Sequence, residues 1–137
     1  MPKVAISRVS DVNCAEAIEK AVRASVALAC DFDALCKGKH VVLKPNVYCP
    51  NPAPITTDPR VIAALIRAAK DAGARRVTVA EGRSISTNLF RKNANTTRDC
   101  FAAIGMDKAA SDNGADMVFL EEDEFLDLTS EEAVVLK

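Results

Sequence analysis

The order of apolar segments along the chain limits the fold more than any other feature of the sequence. Residues 40–43 form a short, mostly apolar run, and residues 76–80 form another. Between them Asp58 and Pro59 open a helical pattern, because the residue before a proline avoids helical angles while proline suits the first helical turn. Strands separated by a helix pair in parallel through right-handed crossovers. The sequence therefore predicts an α/β protein.

The alternation of strand and helix continues toward both ends of the chain. Further strands are predicted at residues 3–9, 116–120 and 132–136. Amphipathic helices are predicted at residues 12–29, capped by Ser10 or Asp11, and at residues 97–113, with an interruption at Gly105. We expect a three-layer, mainly parallel, Rossmann-like open sheet with helices on its faces.

The length and the net charge of the chain limit the classes of protein to which it can belong. The chain has 137 residues, which suits one domain, and its 18 basic and 19 acidic residues leave almost no net charge. A neutral surface does not gather nucleic acid or an anionic membrane. The first twenty residues contain no continuous apolar stretch, so neither a signal peptide nor a membrane span is predicted there. We expect a cytoplasmic protein that binds neither nucleic acid nor membrane.

The cysteines predict separate, reduced thiols. There are five, an odd number, without a Cys-x-x-Cys pair, and His40 is the only histidine. The sequence thus carries no iron-sulfur cluster motif, and we assign no metal site. Cys49 has no neighbouring histidine to activate it, so an inert thiol is expected. The cofactor, if there is one, is left open by the residues.

Two predicted strands end in polar groups that suit a bound anion. In parallel sheets, ligands lie beyond the carboxyl ends of the strands, near the amino ends of helices. A lysine and an asparagine follow the strand at 40–43, two threonines precede the next helix, and a glutamate follows the strand at 76–80. The candidate ligand-binding residues are Lys44, Asn46, Thr56, Thr57, Glu81, Gly82, Arg83 and Ser84. No catalytic residue is assigned.

Each candidate residue also has a structural interpretation. Lys44 could be solvated, Asn46 could close an Asx turn, and Asp58 is better explained as the cap of its own helix. The loop after Glu81 lacks both the Gly-x-Gly-x-x-Gly and the Walker A spacing, so no nucleotide motif is established. The acidic run at residues 121–124 is interpreted as a solvated face.

Several motifs in a fixed order also carry a family likeness. The stretch in question reads VVLKPNVYCPNPAPITTDPRVIAALIRAAKDAGARRVTVAEG. It combines Lys-Pro-Asn after a strand, a Thr-Thr-x-Pro helix start, and an Ala-Gly-Ala strand that ends in Glu-Gly. In this it resembles the amino-terminal half of the family known as domain of unknown function 362. The resemblance implies that residues 1–137 form a single, incomplete domain, the amino-terminal part of a longer one.

The resemblance also implies a link to redox proteins, because many family members carry a ferredoxin-like cysteine cluster after this domain. Our first hypothesis is an α/β domain of a redox-linked protein that binds a small anionic metabolite or cofactor. The alternative is a non-catalytic module that docks an iron-sulfur protein or the missing carboxy-terminal half of its own domain. Whether the protein is an enzyme stays open.

Overall fold

Three parallel strands form the centre of the structure. It is a computed structural model, and it describes residues 3–82 and 95–122. The strands are β1 (His40–Leu43), β2 (Arg76–Glu81) and β3 (Asp116–Phe119), and they pair in the order β1-β2-β3. Both pairings are parallel, with Val41 opposite Val77 and Val79 opposite Met117. Helices separate the strands along the chain, which confirms the predicted α/β, Rossmann-like class.

Five helices lie within the described ranges. Local chemistry explains two of their boundaries. Asp58 caps its helix by accepting a hydrogen bond from the Arg60 N–H, and Pro59 takes the first helical position, as predicted. Gly105, at φ 77°, adopts the left-handed conformation that favours glycine and separates two helices where an interruption was predicted. The helices are α1 (Ala15–Ala29), α2 (Phe32–Cys36), α3 (Pro59–Asp71), α4 (Thr97–Ile104) and α5 (Met106–Ser111), and a 3₁₀ turn, Leu120–Glu122, follows β3.

The hydrophobic core lies between one face of the sheet and the helices. Val77 and Val79 of β2 are nearly inaccessible, and they belong to one cluster with Ile62 and Ile66 of α3. Phe101 of α4 meets Phe119 of β3 edge to face, with the ring centroids 5.2 Å apart. Successive strand residues point to opposite faces, so Val41 and Leu43 turn toward this core while Val42 turns away and is exposed.

Helix α1 runs parallel to α3. Three polar contacts join the two segments, and in each the two residues are 48 positions apart. A constant offset means that the two segments advance in the same direction. The contacts are Arg60 Nη1 to the Val12 carbonyl oxygen at 2.8 Å, Arg67 Nη2 to Glu19 Oε2 at 2.6 Å, and Arg23 Nη2 to Asp71 Oδ2 at 2.7 Å.

Some local predictions are wrong. Residues 3–9 were predicted as a strand, but they form none in the structure, where Val4 and Ile6 are 89% and 90% exposed. A strand needs a neighbour for its backbone hydrogen bonds, and alternation alone does not supply one. Asp11 accepts a hydrogen bond from the Asn13 N–H in a turn, and α1 begins later, after Cys14. Helix α2 was not predicted, and the predicted strand at 132–136 lies outside the described residues.

Replacing Ile66 by alanine tests the core. Because Ile66 is fully buried, we expect Ile66→Ala to lower the free energy of unfolding by about 2–5 kcal/mol, from lost burial and the cavity left behind. Leu28→Ala is the matched control, since Leu28 is 63% exposed and its truncation should cost less than about 0.5 kcal/mol. Urea unfolding measures both changes. Equal losses for the two variants would contradict the described core.

Replacing Glu19 by glutamine tests the contact between α1 and α3. The Arg67 guanidinium beside Glu19 lowers the pKa of that carboxyl, because its hydrogen bonds favour the charged form. A lowered folded-state pKa stabilises the protein at neutral pH, and this contribution is lost as the pH falls through the folded-state pKa. Glu19→Gln should therefore be less stable than the wild type at pH 7, with the difference shrinking below about pH 4. Thermal unfolding across this range, with exposed Asp112→Asn as control, measures the effect.

Candidate functional site

An ion pair joins the carboxyl ends of β1 and β2. Lys44 directly follows β1, and Glu81 is the last residue of β2. Parallel strands end at the same edge of a sheet, so these residues meet although they are 37 positions apart in the chain. Lys44 Nζ donates to Glu81 Oε1 over 2.6 Å. This short, charge-assisted hydrogen bond forms the centre of the candidate site.

The two partners differ sharply in burial. Glu81 is only 7% exposed, whereas the side chain of Lys44 is 64% exposed. Glu81 Oε1 also accepts a hydrogen bond from the Gly82 N–H at 2.8 Å. An ammonium group has three donors, so Lys44 keeps donor capacity toward solvent while Glu81 holds its position. The geometry thus presents an oriented cation at the surface above a buried carboxylate.

Asn46 and Thr57 tie the loop after β1 to the start of α3. The Asn46 N–H donates to Thr57 Oγ1 at 2.8 Å, and the Asn46 carbonyl oxygen accepts from the Thr57 N–H at 2.9 Å. Asn46 is exposed to solvent. The hydroxyl oxygen of Thr57 acts here as an acceptor, so its proton remains to be donated. The loop therefore brings Asn46 and Thr57 together.

Thr56 and Asp58 have local structural roles. Thr56 is 3% exposed, and its hydroxyl donates to the Asn51 carbonyl oxygen at 2.6 Å, so its proton is already engaged within the loop. Asp58 caps α3, and the Arg60 guanidinium lowers the pKa of the Asp58 carboxyl. A carboxylate therefore already occupies the amino end of α3. The capping interpretation of Asp58 is confirmed.

Gly82 allows the ends of β2 and β3 to approach closely. A Cβ at this position would lie 3.2 Å from Leu120 Cβ, tighter than ordinary van der Waals contact. A larger residue would push apart the segment that orients Glu81. Arg83 and Ser84, the other two candidates after β2, lie outside the described residues.

Two acidic residues bind α4, a contact that the sequence analysis missed. Glu121 Oε1 accepts from the Thr97 N–H at 2.7 Å, and Glu122 pairs with the Arg98 guanidinium through both carboxylate oxygens. The other oxygen, Glu121 Oε2, is buried and has no hydrogen-bond partner among the described residues. Because a helix amino end attracts carboxylates, the predicted helix start near Thr97 was the only available signal. The interpretation of residues 121–124 as a solvated face is wrong for Glu121, whereas Glu122 is exposed, and residues 123 and 124 lie outside the described residues.

All five cysteines are free thiols, and burial raises the pKa of Cys36 and of Cys100. Within residues 3–82 and 95–122, no group of three or more His, Cys, Asp or Glu side chains is arranged to hold a metal ion. None of the helices in the described part of the chain has the length and apolar character needed to cross a membrane.

Comparison with known proteins gives one match. The model of the family described as domain of unknown function (DUF362) matches residues 41–137, which is more than half of the chain. The chain belongs to the DUF362 family. The matched region includes all of β1 except His40, the Lys44–Glu81 pair and the rest of the chain. No curated protein and no solved structure matches the chain.

A double-mutant cycle on Lys44 and Glu81 tests the geometry of the site. Lys44→Met removes the charged donor and leaves a buried carboxylate with the Gly82 N–H, so we expect a loss of unfolding free energy of about 1–3 kcal/mol. In the Glu81→Gln background, the same change should cost clearly less. A coupling of about 0.5 kcal/mol or more, measured by urea unfolding, is expected for groups in contact. Strictly additive losses would contradict the ion pair.

Proposed function

We propose that this DUF362 domain binds a small anionic metabolite or cofactor at the carboxyl edge of its sheet, as part of a redox-linked protein. One observation carries the proposal: the exposed ammonium of Lys44 is held in place by the buried carboxylate of Glu81. A cation that is oriented before the ligand arrives loses less side-chain freedom on binding. Such an arrangement favours a ligand site over a solvated lysine.

The neighbouring groups support an anionic ligand of limited charge. Lys44, the exposed Asn46 and the hydroxyl of Thr57 are the donors near the end of β1. Glu81 and Asp58 contribute nearby negative charge, and Asp58 already caps the amino end of α3. A ligand with one carboxylate or phosphate group would therefore be recognised mainly through hydrogen bonds to Lys44 and Asn46. Because Glu81 is paired with Lys44 and Asp58 with Arg60, a large polyanion would meet little net positive charge here.

The proposal that this domain is part of a redox-linked protein rests on a separate argument. The chain resembles family members that carry a ferredoxin-like cluster after this domain. Such a protein would place the cluster on another segment or on a partner chain. The ligand site proposed here would then serve the domain that supplies or receives the substrate. A small anionic metabolite suits that role as well as a cofactor does.

A second proposal is a docking module for an iron-sulfur protein or for the carboxy-terminal half of the family domain. Its support is exposed apolar surface: Val42, Leu28 and Leu35 are each more than half exposed. β1 and β3 are also the outer strands of the described sheet, and outer strands offer backbone groups to another chain. This proposal requires no ligand at Lys44.

Ligand titration of two variants tests the first proposal. Inorganic phosphate, adenosine monophosphate and citrate are titrated separately into the 137-residue chain, and binding is followed by amide chemical shifts. Lys44→Ala should weaken binding of the responding anion about tenfold or more, because a charged hydrogen bond contributes roughly 1.5–3 kcal/mol. Asn46→Ala should weaken it less. Lys20→Ala, an exposed lysine on α1, is the matched control and should leave binding unchanged.

Two outcomes would count against anion binding at this edge. Either none of the three anions shifts amides near Lys44, or binding persists undiminished in both Lys44→Ala and Asn46→Ala. Sedimentation over a range of protein concentrations separates the docking proposal. Self-association that depends on Val42 favours docking, whereas a monomer that binds an anion favours the ligand site.

A further inference from the structure

The amino-terminal segment (residues 3–9) has the pattern of a strand but no strand partner. Exposed residues alternate with partly buried ones from Val4 to Val9, with Val4 and Ile6 pointing almost entirely into solvent. No backbone hydrogen bond joins the segment to any other described residue. β-Branched apolar side chains at 89% and 90% exposure are costly to leave in water. The segment therefore has reason to pair elsewhere.

Strand β1 offers a matching edge. It is an outer strand of the described sheet, because its partner β2 lies on one side only. The opposite edge carries backbone N–H and C=O groups that no described strand engages. Val42, at 55% exposure, lies on the sheet face turned away from the core. A further strand beside β1 would satisfy this edge and shield Val42.

The position of α1 indicates which edge the segment belongs to. Helix α3 connects β1 to β2, and α1 lies beside α3 and runs parallel to it. When successive right-handed crossovers place their helices on the same side of a sheet, each new strand is added on the same side of the strand before it. The strand that precedes α1 therefore belongs next to β1, on the side away from β2. The same reasoning makes that strand parallel to β1.

The turn before α1 holds the end of the segment near this place. The Asn13 N–H donates to Asp11 Oδ1 at 2.8 Å, and Arg60 at the start of α3 donates to the Val12 carbonyl oxygen at 2.8 Å. The start of α3 follows the loop from the carboxyl end of β1. Seven residues in a strand span about 23 Å, more than the roughly 13 Å of a four-residue strand. The segment can therefore cover β1 without moving α1.

We propose that the amino-terminal segment docks in parallel along the outer edge of β1 as a fourth strand of the sheet. In this state its backbone pairs with β1, and alternate side chains face the helices. Val4 and Ile6 then lie on the same sheet face as Val42, so the three apolar side chains form one surface. The undocked segment of the present structure and the docked strand differ by rotation of the residues just before the Asp11 turn.

Amide hydrogen exchange of the full 137-residue chain tests this docking, residue by residue, by NMR. The segment's paired amides should exchange at least about tenfold more slowly than in an unfolded chain, at every protein concentration. Ser7, whose side chain would face the helices, directs its N–H toward β1, so Ser7→Pro removes a paired donor and should abolish this protection, while speeding exchange of the outward amides of β1. Ser7→Thr keeps the donor and the hydroxyl, so it should retain the protection. It is the matched control.

Two results would overturn the proposal. The first is a wild-type segment whose amides exchange at the unfolded rate, a measurement that needs no variant. The second is protection that disappears on dilution, which would assign the pairing to a second copy of the chain. Protection that is independent of concentration, lost in Ser7→Pro and kept in Ser7→Thr would establish the fourth strand.

Discussion

The burial of β2 is the constraint on which the rest of the structure depends. Every residue of this strand after Arg76 is buried, so both of its faces and both of its edges need partners. β1 and β3 satisfy the edges, and α3 with α4 and α5 contributes to the core against one face. Because both neighbours are parallel to β2, all three strands end at one edge. Lys44 and Glu81 meet at that edge.

The same constraint gives the site its electrostatic character. β2 ends in Glu81, and a carboxylate at the end of a buried strand is costly unless it is paired. Lys44 and the Gly82 N–H supply that pairing from the adjacent strand end and from the next residue. The proposed ligand recognition would therefore depend on the same contact as stability. A lysine held by a structural requirement is also a lysine already placed for a ligand.

The two outer strands leave the edges of the described sheet unpaired. β1 and β3 each lie at the limit of the described sheet, and several apolar side chains outside the core are exposed. The parallel placement of α1 beside α3 is the basis for the proposed fourth strand. The proposed fourth strand from the amino-terminal segment would occupy the free edge of β1. The proposed docking of a partner or of a carboxy-terminal half concerns the surface that remains.

The sequence by itself determined the elements whose signals are local. Asp58-Pro59 marked the start of α3, Gly105 marked a helix break, and the apolar runs marked all three strands. These signals act through backbone angles, capping and side-chain alternation, which neighbouring residues decide. The parallel sheet and the edge that carries Lys44 and Glu81 followed from the order of these elements.

Only the tertiary structure decided which polar groups meet. The pairing of Lys44 with Glu81 and the contacts of Glu121 and Glu122 with α4 depend on distances between segments far apart in the chain. The amino-terminal segment shows the same limit, since alternation gives strand character but only a neighbouring strand completes it. Local sequence sets the propensity of a segment to form a strand. Pairing also requires the edge of a neighbouring strand, and the packing of α1 and α3 on the sheet decides where that edge lies.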